Sequence, residues 1–171
     1  MKHFLGLFVA LIALLALAGC SDTGGGGKLN VTLNEWSIKL GAVSLPEGPI
    51  EFSIQNSGKQ QHEIVILRTD LAPNQLPTKN DGSVDTGAAD VHEERTIDEI
   101  DSGDTTSRTY SLDPGNYVFI DNTVKDIDGA KTSFYAQGMS AAFTVTKKGE
   151  SVSPTSSGTA SSSATPTPTH S

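Results

Sequence analysis

Thiols are almost absent from this sequence. Its 171 residues hold one cysteine, Cys20, so an internal disulfide is excluded. Cations are scarce as well. Twelve Lys and Arg stand against 20 Asp and Glu, a formal charge of −8. That balance disfavours nucleic acid and anionic headgroups as partners, and it suits cations or a basic protein. Imidazoles are few: His3, His62, His92 and His170. No Ser-His-Asp or Cys-His arrangement can be assembled from them. His62-Glu63 lacks the second histidine, four residues after the first, that a zinc-protease helix needs. The chain is therefore not expected to be an enzyme. Long apolar runs are limited to one, Phe4 to Ala18, broken only by Gly6. It is shorter than the roughly 20 residues of a membrane-spanning helix. Little of the remaining sequence has helical period.

What is present begins at that run. Lys2 and His3 precede it as a short basic segment, and Leu17-Ala18-Gly19-Cys20 closes it. This is the layout of a secretory signal. The four closing residues resemble the lipobox of bacterial lipoproteins. The resemblance implies that residues 1–19 are a removable signal peptide and that Cys20 becomes the first residue, thioether-linked to diacylglycerol and bearing palmitate-like acyl chains. The alternative is an ordinary cleaved signal with a chance cysteine. On the lipoprotein reading the protein is extracytoplasmic and anchored to the bacterial membrane, and its one thiol is spent on the anchor. Residues 20–28 then form the lipidated cysteine and a Gly-rich linker, with Ser21 to Gly27 as a flexible spacer. Residues 148–171 are almost entirely Ser, Thr, Pro, Ala and Gly beyond Ser151. They are expected to form a disordered tail, either a plain solvated one or a glycosylated stalk.

Between linker and tail, residues 29–147 have one domain's length and read as strands. Leu29, Val31 and Leu33 alternate, as do Trp36, Ile38 and Leu40. Ile50, Phe52 and Ile54 alternate with Glu51, Ser53 and Gln55, the pattern of a half-buried strand. Ile64-Val65-Ile66-Leu67 and Tyr117-Val118-Phe119-Ile120 are apolar on both parities and suit interior strands. Thr105 to Leu112 alternates more weakly, and Phe143 with Val145 marks a last strand. Seven or eight short strands imply an all-β fold, an antiparallel β-sandwich. Two segments interrupt the spacing: Asp70 to Glu94 and Asn122 to Ser133. Loops of that length are usually functional or mobile. From Asp81 to Asp104 nine acidic residues face Arg95 alone. That run reads as a solvated face, or as a docking face for a basic partner. Asp126-Ile127-Asp128-Gly129 starts like a calcium loop, yet no acidic residue follows where the twelfth-position ligand belongs.

Taken in order, several segments resemble the cupredoxin-like bacterial lipoproteins (plastocyanin- and azurin-type blue-copper-like domains). They are Ile50 to Asn56 with Gly58, His62 to Leu67, Leu112 with Pro114 to Ile120, Tyr135-Ala136-Gln137-Gly138-Met139, and Ala142 to Val145. The resemblance covers roughly Val31 to Thr146 and implies a Greek-key sandwich of the cupredoxin type. It also implies copper held by two histidines, a cysteine and a long axial methionine. The thiolate gives such a site its colour and redox range. Carried over by position, the first histidine matches His62 and the methionine matches Met139. The cysteine's place holds Asp121, and the second histidine's place holds Phe134. Two of four ligands are thus replaced.

Three readings follow. The first is a cupredoxin-like module without an intact type 1 copper site, binding a partner in the cell envelope. The second is a carrier of copper or another metal with an altered site of His62, Asp121 and Met139, joined by His92 or water. The third, from the resemblance alone, is an electron carrier. Against the metal, Asp121 can cap a turn while Phe134 and Met139 fill the space. The sequence leaves oligomeric state, partner and metal open.

Overall fold

A computed structural model describes residues 24–150. Within them the chain forms eleven strands: β1 (Gly27–Asn34), β2 (Ser37–Leu40), β3 (Ser44–Pro46), β4 (Gly48–Asn56), β5 (His62–Arg68), β6 (His92–Ile100), β7 (Thr105–Leu112), β8 (Gly115–Ile120), β9 (Val124–Ile127), β10 (Ala130–Ser133) and β11 (Ser140–Thr146). The expected all-β sandwich is present. One sheet has the order β2-β1-β4-β7 and the other β3-β11-β8-β5-β6. Residues 1–23, with the signal peptide and Cys20, and residues 151–171 lie outside the described residues.

Pairing is mostly antiparallel, with two exceptions. β1 runs parallel to β4, and β3 parallel to β11. Side-chain alternation has period two in either orientation, so the sequence pattern is blind to this. The cause is the route of the chain. β2 turns back on β1, β3 crosses to the opposite sheet, and β4 returns beside β1.

The alternating residues meet as expected. Leu29, Val31 and Leu33 join Ile50, Phe52 and Ile54 from one sheet. Ile64, Ile66, Tyr117, Phe119, Phe143 and Val145 come from the other, all within one buried cluster. Full burial of each large side chain is worth about 1.5–3 kcal/mol, so this cluster dominates the fold's stability. The double apolar parity of β5 and β8 also has a physical cause. Their opposite faces bury Val65, Leu67, Val118 and Ile120 in a second cluster, under Leu76, Val84 and Val91.

That second cluster gives the Asp70 to Glu94 segment, expected to be functional or mobile, a packing role. Its first two thirds are a packed cover. Tyr135 donates its hydroxyl to Pro73 O at 2.8 Å and accepts from Leu76 N at 3.2 Å. The Asn122 amide pairs with the Val84 backbone twice, at 2.6 and 3.1 Å. The end of the segment runs into the edge strand β6, which carries four of the nine acidic residues of the run. Charge on an edge strand blocks pairing with other chains, a role the sequence alone did not separate from a solvated face.

The other long segment is a hairpin, β9 to β10, turning on Asp128 and Gly129 at φ of 54° and 82°. Two positive φ values make a tight two-residue turn that Asp-Gly favours. The likeness to a calcium loop ends there. The linker boundary also moves. β1 begins at Gly27, two residues before the expected domain start at 29. Gly26, at φ 89°, lies so close to the β3–β4 corner that a Cβ would stand 2.0 Å from Pro49 O. Gly25 and Gly26 of the expected spacer are therefore docked backbone, where a Cβ would clash with the carbonyls of Glu47 and Pro49.

Candidate functional site

β5 begins with His62 and β8 ends one residue before Asp121. β5 and β8 are hydrogen-bonded neighbours, with Val65 opposite Ile120, so both side chains emerge at one end of the sandwich. His62 is 1 % exposed and Asp121 is fully buried. His62 Nδ1 lies 2.7 Å from Asp121 Oδ2. The same oxygen accepts from Glu63 N at 3.3 Å, and Oδ1 accepts from Thr123 N at 3.0 Å. Asp121 is thus the acceptor of three hydrogen bonds and caps the turn into Thr123.

Phe134 and Met139 reach the same place from the segment between β10 and β11. Both are fully buried. Phe134 packs edge-on to the His62 ring at 5.3 Å between centroids, and Trp36 packs edge-on to Phe134 at 5.0 Å. Met139 N donates to Phe134 O at 3.2 Å, and Asp121 N to Met139 O at 3.2 Å. All four positions singled out in the sequence are therefore brought together. His92 is not. It pairs with Arg68 at the far end of β5, so it cannot assist His62.

Glu35 and Gly58 complete the site; Glu35 was not singled out in the sequence, and Gly58 only as part of the segment that carries the resemblance. Glu35 follows β1, and its Oε1 accepts from Lys59 N at 2.6 Å and Gln60 N at 2.7 Å. The buried Asn56 amide ties the same turn to Gln60 O and Ile100 O, both at 2.8 Å. Glu35 Oε1 also stands 3.5 Å from His62 Nε2, which is buried without a hydrogen-bond partner. Gly58 borders the gap: a Cβ there would lie 2.6 Å from Glu35 Oε1 and 3.0 Å from His62 Nε2. Burial pushes the Glu35 carboxyl up, but the Gln60 and Lys59 amides and the His62 ring together hold it below its ordinary value. Glu63, beside Asp121, moves the other way. Burial raises its carboxyl, and the charges of Asp121 and Asp98 add to the effect. No sequence spacing connects Glu35 with His62; only the fold does.

The donor set does not fit a type 1 copper centre. The place of the thiolate is taken by a carboxylate whose oxygens are engaged by His62, Glu63 and Thr123. The place of the second imidazole is taken by a buried phenyl ring. A 2.7 Å contact between Nδ1 and Oδ2 leaves no room for an ion between them. Nor is there, among the described residues, a group of three or more His, Cys, Asp or Glu placed to hold a metal ion.

No family model matches the chain, and no curated protein matches it in sequence. Solved structures do. Dithionite-reduced auracyanin from the photosynthetic bacterium Roseiflexus castenholzii superposes with a TM-score of 0.50 at 18 % identity, over 71 % of this chain and 98 % of that one. Auracyanin A, described as a blue copper protein of Chloroflexus aurantiacus, gives 0.40 at 14 % identity, over 70 % and 99 %. The copper protein rusticyanin gives 0.48 at 14 % identity, over 71 % and 78 %. Identities this low speak to fold alone, and the first of these carries the conclusion. The chain has the cupredoxin-like fold of the blue copper proteins.

Proposed function

We propose that this protein is a membrane-anchored, extracytoplasmic cupredoxin-like domain without an intact type 1 copper site, serving as a binding module of the cell envelope. One observation carries the reading. The end that would hold copper is closed by the His62–Asp121 hydrogen bond and by Phe134 packed against the imidazole. Anchoring rests on the lipobox-like Leu17 to Cys20, and the acidic balance favours a basic partner. The exposed turn at Lys59, held by Glu35 and Asn56, is a rigid element such a module presents at that end.

A carrier using His62, Asp121 and Met139 is the second reading. It is favoured by the convergence of these three positions. Electron transfer ranks third, because the thiolate it needs is replaced by Asp121.

The test is spectroscopic. Cu(II) added to the parent protein is expected to give no intense visible charge-transfer band. The double variant Asp121→Cys, Phe134→His is expected to gain one, because it restores both replaced donors. A band in the parent overturns the proposal. A colourless but folded double variant shows that the ligand positions are misassigned.

A further inference from the structure

Both ends of the described chain leave the sandwich on one side, and His62 lies at the other. On entry, Gly26 N donates to Pro46 O at 3.0 Å, and a Cβ on Gly25 would clash with Glu47 O. On exit, Thr146 is paired beside Pro46, and Lys148 N donates to Glu47 Oε1 at 3.1 Å. Entry and exit are thus fastened to the corner that opens β4. That strand is nine residues long and runs from the corner to Asn56, whose amide holds the turn beside His62. At about 3.4 Å per residue, the turn stands about 27 Å from the corner. The link back to Cys20 is shorter. The steps from Cys20 to Gly25 reach at most about 18 Å in any conformation.

We propose that this tether holds the sandwich with the Glu47 corner toward the bilayer and the His62 end away from it, so that a partner reaches the His62 end from the aqueous side. An inverted domain, with the Lys59 turn on the membrane, needs a tether of about 27 Å, and the chain supplies about 18 Å. The membrane side also holds the start of β8, where Gly115 pairs with Val145. The groove there sets four carboxylates, Asp70, Asp90, Glu94 and Asp113, against Arg68 and His92. An anionic leaflet repels that balance, so tether length rather than headgroup binding sets the orientation. Among the described residues, no chain end crowds the Lys59 turn. The inference rests on the binding-module reading and its lipid anchor. It adds the surface and the kind of partner: a protein of the aqueous envelope that meets the His62 end head-on, rather than a lipid headgroup.

The test reads height above the bilayer by energy transfer. The full chain is extracted with its lipid and added to preformed vesicles of phosphatidylethanolamine and phosphatidylglycerol that carry a headgroup-linked acceptor. Asp113→Cys and Lys59→Cys each add one exposed thiol for a donor dye, at the near and far ends. Lys59→Cys keeps the backbone bond to Glu35. Transfer is expected to fall severalfold from the Asp113→Cys to the Lys59→Cys variant. A twenty-residue Gly-Ser insertion after Thr23 is expected to shrink that difference, because a flexible chain of that length adds about 22–27 Å of mean reach. Circular dichroism confirms the fold of each variant. Equal transfer from the two variants, or more from Lys59→Cys, overturns the orientation and leaves the anchor standing. So does a difference that the insertion leaves unchanged. The anchor is read separately. The parent is expected to take no dye, because Cys20 is its one thiol and bears lipid. A parent labelled at Cys20 overturns the anchor and, with it, the orientation; the closed copper end still answers to its own spectrum.

Discussion

Strand β5 has two very different ends. At its start the His62 and Asp121 side chains are both fully buried, 2.7 Å apart. About 20 Å away, at its other end, Arg68 and Asp113 lie 3.8 Å apart with side chains 41 % and 87 % exposed. Around Arg68 the surface opens into a groove lined by Asp70, Asp90, His92 and Glu94. There water solvates the charged groups and screens the pairs. At the His62 end the central pair is desolvated, and Asp121 is held by His62, Glu63 and Thr123. Polar groups at the first end must therefore be paired to be tolerated, while those at the second are free to vary.

The largest consequence falls on Asp121. Asp121→Ala strips the buried His62 Nδ1 and the Glu63 and Thr123 amides of their acceptor at once. Removing one partner of a buried pair costs about 3–5 kcal/mol. Chemical denaturation should show a loss of that size, with the fold's m-value retained. A loss below about 1 kcal/mol would mean that water enters this end, and the contrast between the two ends would collapse.

Glu63 gives a smaller and pH-dependent effect at the same end. Burial first, then Asp121 and Asp98, holds its carboxyl above the ordinary value of 4.5. The native chain thus binds this proton more tightly than the unfolded one. The group's contribution is intact below pH 4.5 and is lost as pH rises through the raised native value. Glu63→Gln removes that loss. The variant should melt above the parent at pH 7, and the two should converge toward pH 4. A variant that melts below the parent at pH 7 would place Glu63 among the stabilising partners.

The framework of this contrast was legible in the sequence, and the contrast itself was only partly so. Alternation at Ile50, Phe52 and Ile54 and double parity in β5 and β8 located the interior strands, because burial on one face or two leaves a periodic trace. β6 left none. Its buried Ile97 and Ile100 are three apart, with Glu99 between them at φ 54° and an irregular register against β5. The β9–β10 hairpin has Val124 and Ile127 on opposite parities among polar residues, so no apolar period marked its strands. His62, Asp121, Phe134 and Met139 were found through resemblance in order and spacing. Glu35 was out of reach, because it meets His62 through the pairing of β1 with β4 and the turn that follows β4. Contacts made by topology have no local pattern to read.

The smallest effect belongs to the open end and is the sharpest check on the comparison. Asp113→Ala removes the carboxylate nearest Arg68, but Arg68 keeps its bond to Pro114 O at 3.1 Å and remains solvated. Exposed pairs at such distances contribute about 0–1 kcal/mol and weaken with salt. The expected change in stability is within about 0.5 kcal/mol, and it should shrink further in high salt. Asp113 also lies next to the Pro114-Gly115 turn that launches β8, and its carbonyl accepts from the Tyr117 hydroxyl at 2.7 Å. That bond uses the backbone and survives the substitution. A salt-independent loss above about 1 kcal/mol would therefore assign the Asp113 side chain a role in the turn itself, and the open end would have to be counted as structured in the same sense as the closed one.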